Sequence, residues 1–155
     1  MEIKELKNNY AELAEKYKLP SFKELNENFE IEKIDKDTEC LLRIIRKVMM
    51  EKIVNSLSFL EMLNNPVNAP RIYLQYIKSI SVEDKKDLDS IYSSLGEISL
   101  HSLDLEIDYS EKKEAEIIKR IFNTWNSVKP KFRLVLNNIK KPNGNIAKRE
   151  KTYFG

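Results

Sequence analysis

Apolar residues recur along most of the chain at alternating spacings of three and four, the period of an α-helix that is apolar on one face. Pro20 closes the first such stretch. Ser21 and Glu24 after it form a Ser-x-x-Glu capping box, which predicts the start of a short second helix. The N-terminal stretch itself predicts a first helix with the apolar stripe Ile3, Leu6, Tyr10, Leu13 and Tyr17.

The segment from about residue 37 to residue 63 has the broadest apolar face of the chain. A helix that is apolar over most of its circumference is usually surrounded by other helices. We therefore expect this helix at the centre of the fold. Its main stripe consists of Leu41, Ile44, Ile45, Val48, Met49, Ile53, Leu57 and Leu60.

Beyond a break at Pro66 and Pro70, helical stripes continue to residue 139 with three local departures. Gly96 lies inside a predicted helix at a cost of about 1 kcal/mol relative to alanine, so we expect a neighbouring helix to approach it closely. Residues 103–109 alternate apolar and acidic side chains, the period of a strand, which predicts a short extended segment there. Pro130 is expected to break or kink the last helix.

Together these patterns predict an all-α protein, a compact bundle of about six or seven helices around the central apolar helix. A chain of 155 residues, 41% hydrophobic, is long enough for one domain with a buried core. Only 3 glycines and 5 prolines mark loops, which also favours helices over sheets. We assign residues 1–140 to a single helical domain and residues 141–155 to a basic C-terminal arm.

Charge changes this picture because it is unevenly distributed. The formal net charge is only +2, but residues 129–155 carry eight Lys and Arg against one Glu, a net +7. The other 128 residues hold 19 basic and 24 acidic side chains, a net −5. An acidic body with a basic end predicts that the end contacts an acidic partner.

Neither a membrane span nor a secretory signal is expected from the sequence. The chain starts with the charged, amphipathic stretch MEIKELKNNY, and no apolar run reaches the roughly 20 residues that span a bilayer. The single cysteine, Cys40, cannot form an intramolecular disulfide and is expected to be a buried, small hydrophobic residue. We therefore predict a cytoplasmic location and no membrane partner.

Few residues suit catalysis, and we expect no catalytic residues, no metal site and no cofactor. The single histidine, His101, cannot build a two-histidine zinc site, and the three glycines are too scattered for a phosphate-binding loop. A run of acids follows the spacing of a calcium loop, but it lacks the glycine and the glutamate that such a loop needs at its sixth and twelfth positions. The acids are Asp104, Glu106 and Asp108, and Ser110 follows in the same register. We expect the acids to lie on a solvated face.

Two pairs of acids nevertheless define an enzyme alternative. Glu12 and Glu15 form a Glu-x-x-Glu pair, and Glu32 and Asp35 form a Glu-x-x-Asp pair further on. Carboxylates three residues apart share one face of a helix and can hold Mg²⁺ beside phosphates. This arrangement resembles the magnesium site of all-α nucleoside triphosphate pyrophosphatases, and the resemblance implies a Mg²⁺-dependent enzyme of that type.

The main hypothesis is a non-catalytic binding or adaptor module that uses the arm KKPNGNIAKREKTYFG. Lysine and arginine attract phosphates and carboxylates, and aromatic side chains can stack or dock. The partner is expected to be a short or single-stranded nucleic acid or an acidic protein. The residues predicted to bind it are Lys140, Lys141, Lys148, Arg149, Lys151, Tyr153 and Phe154.

A second basic cluster lies on the central helix. Arg43, Arg46 and Lys47 would either join the arm in one surface or form ion pairs with Glu39, with Glu51 or with another helix. The pairing interpretation is favoured, because charges on a helix that is largely apolar need partners nearby.

Overall fold

The computed structural model describes residues 2–35 and 39–141. It confirms the all-α bundle: six α-helices are present in these ranges, and no strand is. The helices are α1 Ile3–Tyr17, α2 Phe22–Phe29, α3 Leu41–Asn64, α4 Leu74–Lys78, α5 Val82–Ile107 and α6 Glu111–Ile139. Three 3₁₀ turns at Ile31–Lys33, Pro66–Asn68 and Arg71–Tyr73 complete the connections.

The three long helices form the centre of the bundle. α5 and α6 make an antiparallel hairpin, and α3 packs on both of them, parallel to α6. α1 and α2 cover the opposite side of α3 and α6, where Tyr10, Leu25 and Phe29 are buried. Burial of apolar surface between these helices is the main stabilising term of the fold. The fully buried side chains of the long helices include Ile45, Met49, Ile53, Leu88, Leu95, Ile118, Ile121 and Val135.

Serine side chains start three of the helices. The hydroxyl of Ser21 accepts from the Glu24 backbone N–H, and the Glu24 carboxylate accepts from the Ser21 backbone N–H, so the predicted capping box is present. Ser81 and Ser110 accept from the third backbone N–H of α5 and α6 in the same way. Each cap satisfies a donor that the helix itself leaves unpaired.

The extended segment predicted at 103–109 is wrong. α5 continues to Ile107, and extended backbone is confined to its C-cap Asp108 and to Ser110, the N-cap of α6. Leu105 continues the buried stripe of Ile98 and Ser102 at helical spacing, so packing of this stripe overrides the local alternation.

Two further local expectations concern Pro130 and Gly96. α6 runs without interruption from Glu111 to Ile139 with Pro130 inside it, so the proline does not break the helix, and Val128 and Phe132 on either side of it are both buried in the core. A Cβ at Gly96 would have no heavy atom within 4 Å outside its own stretch of helix, so no neighbouring helix approaches this glycine.

None of the described helices is long and apolar enough to cross a membrane.

Candidate functional site

The basic arm leaves the bundle at the end of α6. Lys140 is the C-cap of α6, Lys141 follows it, and both are exposed. Asn138 donates to the Asp84 carboxylate at 3.2 Å, so the arm starts beside the first turn of α5. The other residues predicted to bind a partner lie outside the described residues; they are Lys148, Arg149, Lys151, Tyr153 and Phe154.

The second basic cluster forms ion pairs with other helices, which confirms the pairing interpretation. Arg46 is the centre of the cluster, with a side chain only 3% exposed. Its Nε donates to Glu114 of α6 at 2.5 Å, and its two terminal nitrogens donate to Ser102 and Glu106 of α5, both at 2.8 Å. Glu114 itself is fully buried, so the pair is shielded from water.

Glu106 is the surface end of this network. Its carboxylate lies 3.7 Å from Arg43 and 3.8 Å from Lys47, in addition to its bond to Arg46. The hydrogen bond from Arg46 holds the pKa of Glu106 below its usual value, and the charges of Arg46, Lys47 and Arg43 add to this. Burial would lower the pKa of Arg46, but its bonds to Glu114 and Glu106 outweigh that effect and raise it. The carboxylates of Glu106 and Glu114 thus offset two of the three positive charges of the cluster.

This network cannot share a surface with the start of the arm. Glu114 lies in the first turn of α6 and the arm begins after its last residue, Ile139. At 1.5 Å per residue the two points are about 37 Å apart along the helix. The network therefore serves the packing of the long helices.

The acids of the enzyme alternative do not converge. Glu12, Glu15, Glu32 and Asp35 are all exposed. Among residues 2–35 and 39–141, no group of three or more His, Cys, Asp or Glu is placed to hold a metal ion. The geometry therefore gives the resemblance to a pyrophosphatase magnesium site no support.

The remaining reactive side chains are also dispersed. His101 is exposed and lies 3.7 Å from Glu97 of the preceding turn. Cys40 is half-buried, not fully buried as expected, and lies beside Tyr109. Burial and the neighbouring Cys40 thiol raise the pKa of Tyr109 to about 12. This tyrosine is therefore protonated at neutral pH and acts as a hydrogen-bonding group.

A groove along α3 is a concavity that sequence reasoning missed. Its main part has a volume of about 720 Å³ and continues into a second part of about 380 Å³. Residues from α3 line its length at helical spacing, and the two parts share Lys33, Val48 and Glu51. We call it the α3 groove; α3 contributes Ile44, Lys47, Val48, Glu51, Lys52, Asn55, Ser56 and Phe59.

The walls of the α3 groove come from distant parts of the sequence. One side is formed at the end of α2 and just after it, by Phe29, Glu30, Lys33, Ile34 and Asp35, and Phe132 of α6 lies on the other side. The floor is partly apolar: Ile44, Val48 and Phe59 are half-buried and pack against the core, and the polar Ser56 is half-buried beside them. The unusually wide apolar face of this helix was the one sequence feature that could have predicted a groove.

Charged side chains of both signs line the rim. Lys33 pairs with Glu30 at 2.5 Å, and Glu51 and Asp35 are exposed on the same groove. Lys47 and Lys52 add positive charge along α3. The rim therefore carries three cations and three anions above a partly apolar floor, a surface suited to a protein segment rather than to a row of phosphates.

Lys52 is a partly buried charge in the groove. Its ammonium donates to the Asn28 carbonyl at 2.5 Å and lies over the rings of Trp125, at 5.3 Å, and Phe29, at 5.8 Å. Burial is the main reason why the pKa of Lys52 is lowered, and the nearby charge of Lys129 lowers it further. A carboxylate placed in the groove would relieve this repulsion.

Comparison of the chain with protein families, with curated protein sequences and with solved structures finds no match.

Proposed function

We propose that this protein is a non-catalytic binding module whose partner is a protein segment that is both apolar and acidic. In this proposal the apolar side chains of the segment occupy the α3 groove, and its acidic side chains pair with Lys52, with Lys129 and with the C-terminal arm. The observation that carries the proposal is the composition of the groove, a partly apolar floor beneath a rim of mixed charge.

The dimensions of the groove support a helical or extended segment of moderate length. Ile44 and Phe59, at its two ends, are about 22 Å apart along α3. A helix of about 16 residues has the same length, and amphipathic helices commonly bind in grooves of this kind.

The position of the arm supports one continuous partner. Phe132 closes the groove, and the arm begins eight residues later at Lys140. That separation is about 12 Å along α6, so a segment in the groove can reach the start of the arm. The arm would then supply charge attraction that the mixed rim of the groove lacks.

The alternative partner, a short single-stranded nucleic acid, fits the groove less well. Phe29 and Phe132 are only 4% and 8% exposed, so they offer little surface for base stacking. Glu30, Glu51 and Asp35 would repel phosphates along the same path. The cytoplasmic location expected from the sequence stays a prediction.

The proposal is tested by selecting binders of the full chain from a library of random 16-residue peptides. Selected sequences are expected to combine apolar residues with Asp and Glu. Their affinity, measured by fluorescence anisotropy, should fall at least tenfold for Val48→Glu, which places a carboxylate on the groove floor. Val54→Glu is the matched control, because Val54 is an exposed residue of α3 that does not line the groove.

A chain truncated after Ile139 tests how much the arm contributes to binding. Truncation should weaken the binding of the selected peptides and make that binding less dependent on salt. The nucleic-acid alternative is tested with a dT20 oligonucleotide and a 20-base-pair duplex at low and moderate salt. The proposal would be overturned if the selected peptides bound the Val48→Glu variant as tightly as they bind wild type. It would also be overturned if dT20 bound tightly and only truncation of the arm abolished that binding.

A further inference from the structure

The C-terminal arm begins near one end of the α3 groove. The ammonium of Lys52 of α3 lies over the ring of Trp125 of α6, and the two helices are parallel, so Phe132 lies level with Phe59 at the end of the groove. The arm leaves α6 at Lys140, about 12 Å beyond Phe132 along the helix. The start of the arm and this end of the groove therefore lie at the same end of the bundle.

The arm is long enough to lie along the groove. Its residues 142–155 are outside the described part of the chain. An extended chain covers about 3.3 Å per residue, so the stretch from residue 142 to residue 154 spans up to about 43 Å. Ile44, at the far end of the groove, is about 34 Å from Lys140 along the helices. Phe154 can therefore reach any part of the groove floor.

A turn is predicted where the arm begins. The sequence PNGN at residues 142–145 is typical of a tight turn, because Pro and Asn-Gly favour chain reversal. A reversal directly after Lys141 directs the rest of the arm back along α6, towards Phe132 and the groove. Without it, a chain that continued along the axis of α6 would point away from the bundle.

The aromatic side chains of the arm suit the floor of the groove. Tyr153 and Phe154 are adjacent in the sequence, and the floor offers the half-buried side chains of Val48 and Phe59. Aromatic rings pack favourably against one another and against other apolar groups. The ammonium of Lys52, which lines the same groove, attracts the face of a further ring.

The rim of the groove accommodates the basic residues of the arm. Lys33 and Lys47 each lie close to a carboxylate of the described chain, at 2.5 Å and 3.8 Å, so their charges are offset. Glu51 is exposed and has no ion-pair partner in the part of the chain that the structure describes. Lys151 precedes Tyr153 by two residues, so it can pair with Glu51 while the aromatic rings lie on the floor.

We propose that the C-terminal arm occupies the α3 groove of its own chain when no partner is bound, with Tyr153 and Phe154 on the groove floor. A partner segment then has to displace the two rings, and its acidic side chains pair with the basic residues of the arm that it releases. The arm is thus both a competitor for the groove and a source of attraction for the partner. This regulation rests on the proposed function of the groove, whereas the docking of the arm does not.

A spin label on the arm tests the docking without any partner. The full chain carries Thr152→Cys for attachment of a nitroxide and Cys40→Ser, so that no other thiol reacts. The label should weaken the NMR amide signals of Glu51 and Asn55 in the groove. The signal of Leu100, an exposed residue of α5 that does not line the groove, should keep its intensity.

Matched variants separate docking from mere proximity of the arm. Tyr153→Ser with Phe154→Ser keeps every basic residue of the arm and should restore the groove signals. Val48→Lys, which places an ammonium on the floor, should restore them too, whereas Val54→Lys on the exposed side of α3 should not. Circular dichroism checks that each variant keeps its helical content. Groove signals that the label leaves unchanged, or that stay weak in all variants, would overturn the inference.

Peptide affinity tests the competition. If the arm occupies the groove in about nine molecules of ten, the affinity of the selected peptides should rise about tenfold in the Tyr153→Ser, Phe154→Ser variant. Truncation after Ile139 should not give this gain, because it also removes the basic residues. An unchanged affinity in the double variant would overturn the competition. Failure of every peptide to bind would overturn the proposed function instead, and the spin label would still decide whether the arm docks.

Discussion

At the scale of single residues, the buried guanidinium of Arg46 joins α3 to α5 and α6. Arg46→Ala leaves the fully buried carboxylate of Glu114 without its partner. Removal of one member of a buried ion pair costs about 3–5 kcal/mol. We expect Arg46→Ala to lower the free energy of unfolding by that amount, measured by urea denaturation.

Arg120 provides the control for this prediction, because its ion pair with Glu97 lies on the surface. Arg120→Ala should change the free energy of unfolding by less than about 1 kcal/mol. Arg46→Lys should recover only part of the loss, since an ammonium cannot reproduce the planar contacts of the guanidinium. If Arg46→Ala and Arg120→Ala had equal effects, the buried network would not stabilise the fold.

Gly96 shows how a residue can be correctly placed in a helix and still be misinterpreted. Since a Cβ at this position meets open space, Gly96→Ala should raise the free energy of unfolding by about 0.5–1 kcal/mol through helix propensity alone. The measurement is urea denaturation of the variant and of wild type under the same conditions. A loss of stability would show that the close approach inferred from the sequence exists after all.

At the scale of elements, α6 is a single helix in spite of Pro130. A proline lacks the backbone N–H that would continue the helical bonding, and its ring crowds the preceding turn. Pro130 is exposed, so an alanine fits there without disturbing the core. Pro130→Ala should therefore raise the midpoint of thermal unfolding, with a gain of about 1–3 kcal/mol in the free energy of unfolding. The greater freedom of the unfolded chain without the proline reduces this gain somewhat.

Pro66→Ala is the matched change for comparison. Pro66 lies at the start of a 3₁₀ turn, where a proline is well accommodated. This substitution should give no gain in stability. Equal midpoints for Pro130→Ala and wild type would mean that α6 has already adapted to its proline.

At the scale of the whole molecule, the helical body should fold without the arm. Ile139 is the last buried residue of α6, and the two described residues after it, Lys140 and Lys141, are exposed, so truncation after Ile139 removes no core residue of the described chain. We expect the truncated chain to keep the circular dichroism spectrum of the full chain and its unfolding midpoint within about 2 °C. The assignment of residues 1–140 to one domain stays a prediction until this is measured.

Truncation after Leu134 provides the contrast. It also removes Val135, which is fully buried, and Ile139, which is 6% exposed. Loss of two such side chains costs several kcal/mol, at about 2–5 kcal/mol for truncation of each. If both truncated chains were equally stable, the end of α6 would not belong to the core.

The sequence alone determined most of the helices and, for α2, where the helix begins. Ser21 with Glu24 was recognisable as a cap because a cap and the backbone it satisfies are three residues apart. The apolar stripe of α3 predicted a central helix, because the spacing of buried residues follows from helix geometry. Such features depend on near neighbours along the chain, so they can be predicted without the fold.

Tertiary packing decided the rest. The alternating residues at 103–109 became helix because Leu105 fits the core and Arg46 binds Ser102 and Glu106 from another helix. Whether Arg46 faced water or a buried carboxylate depended on Glu114, a residue 68 positions away. The α3 groove likewise exists only where the end of α2, α3 and Phe132 meet. Contacts between residues so far apart depend on which helix faces meet, and that choice is made by the simultaneous burial of all the apolar faces.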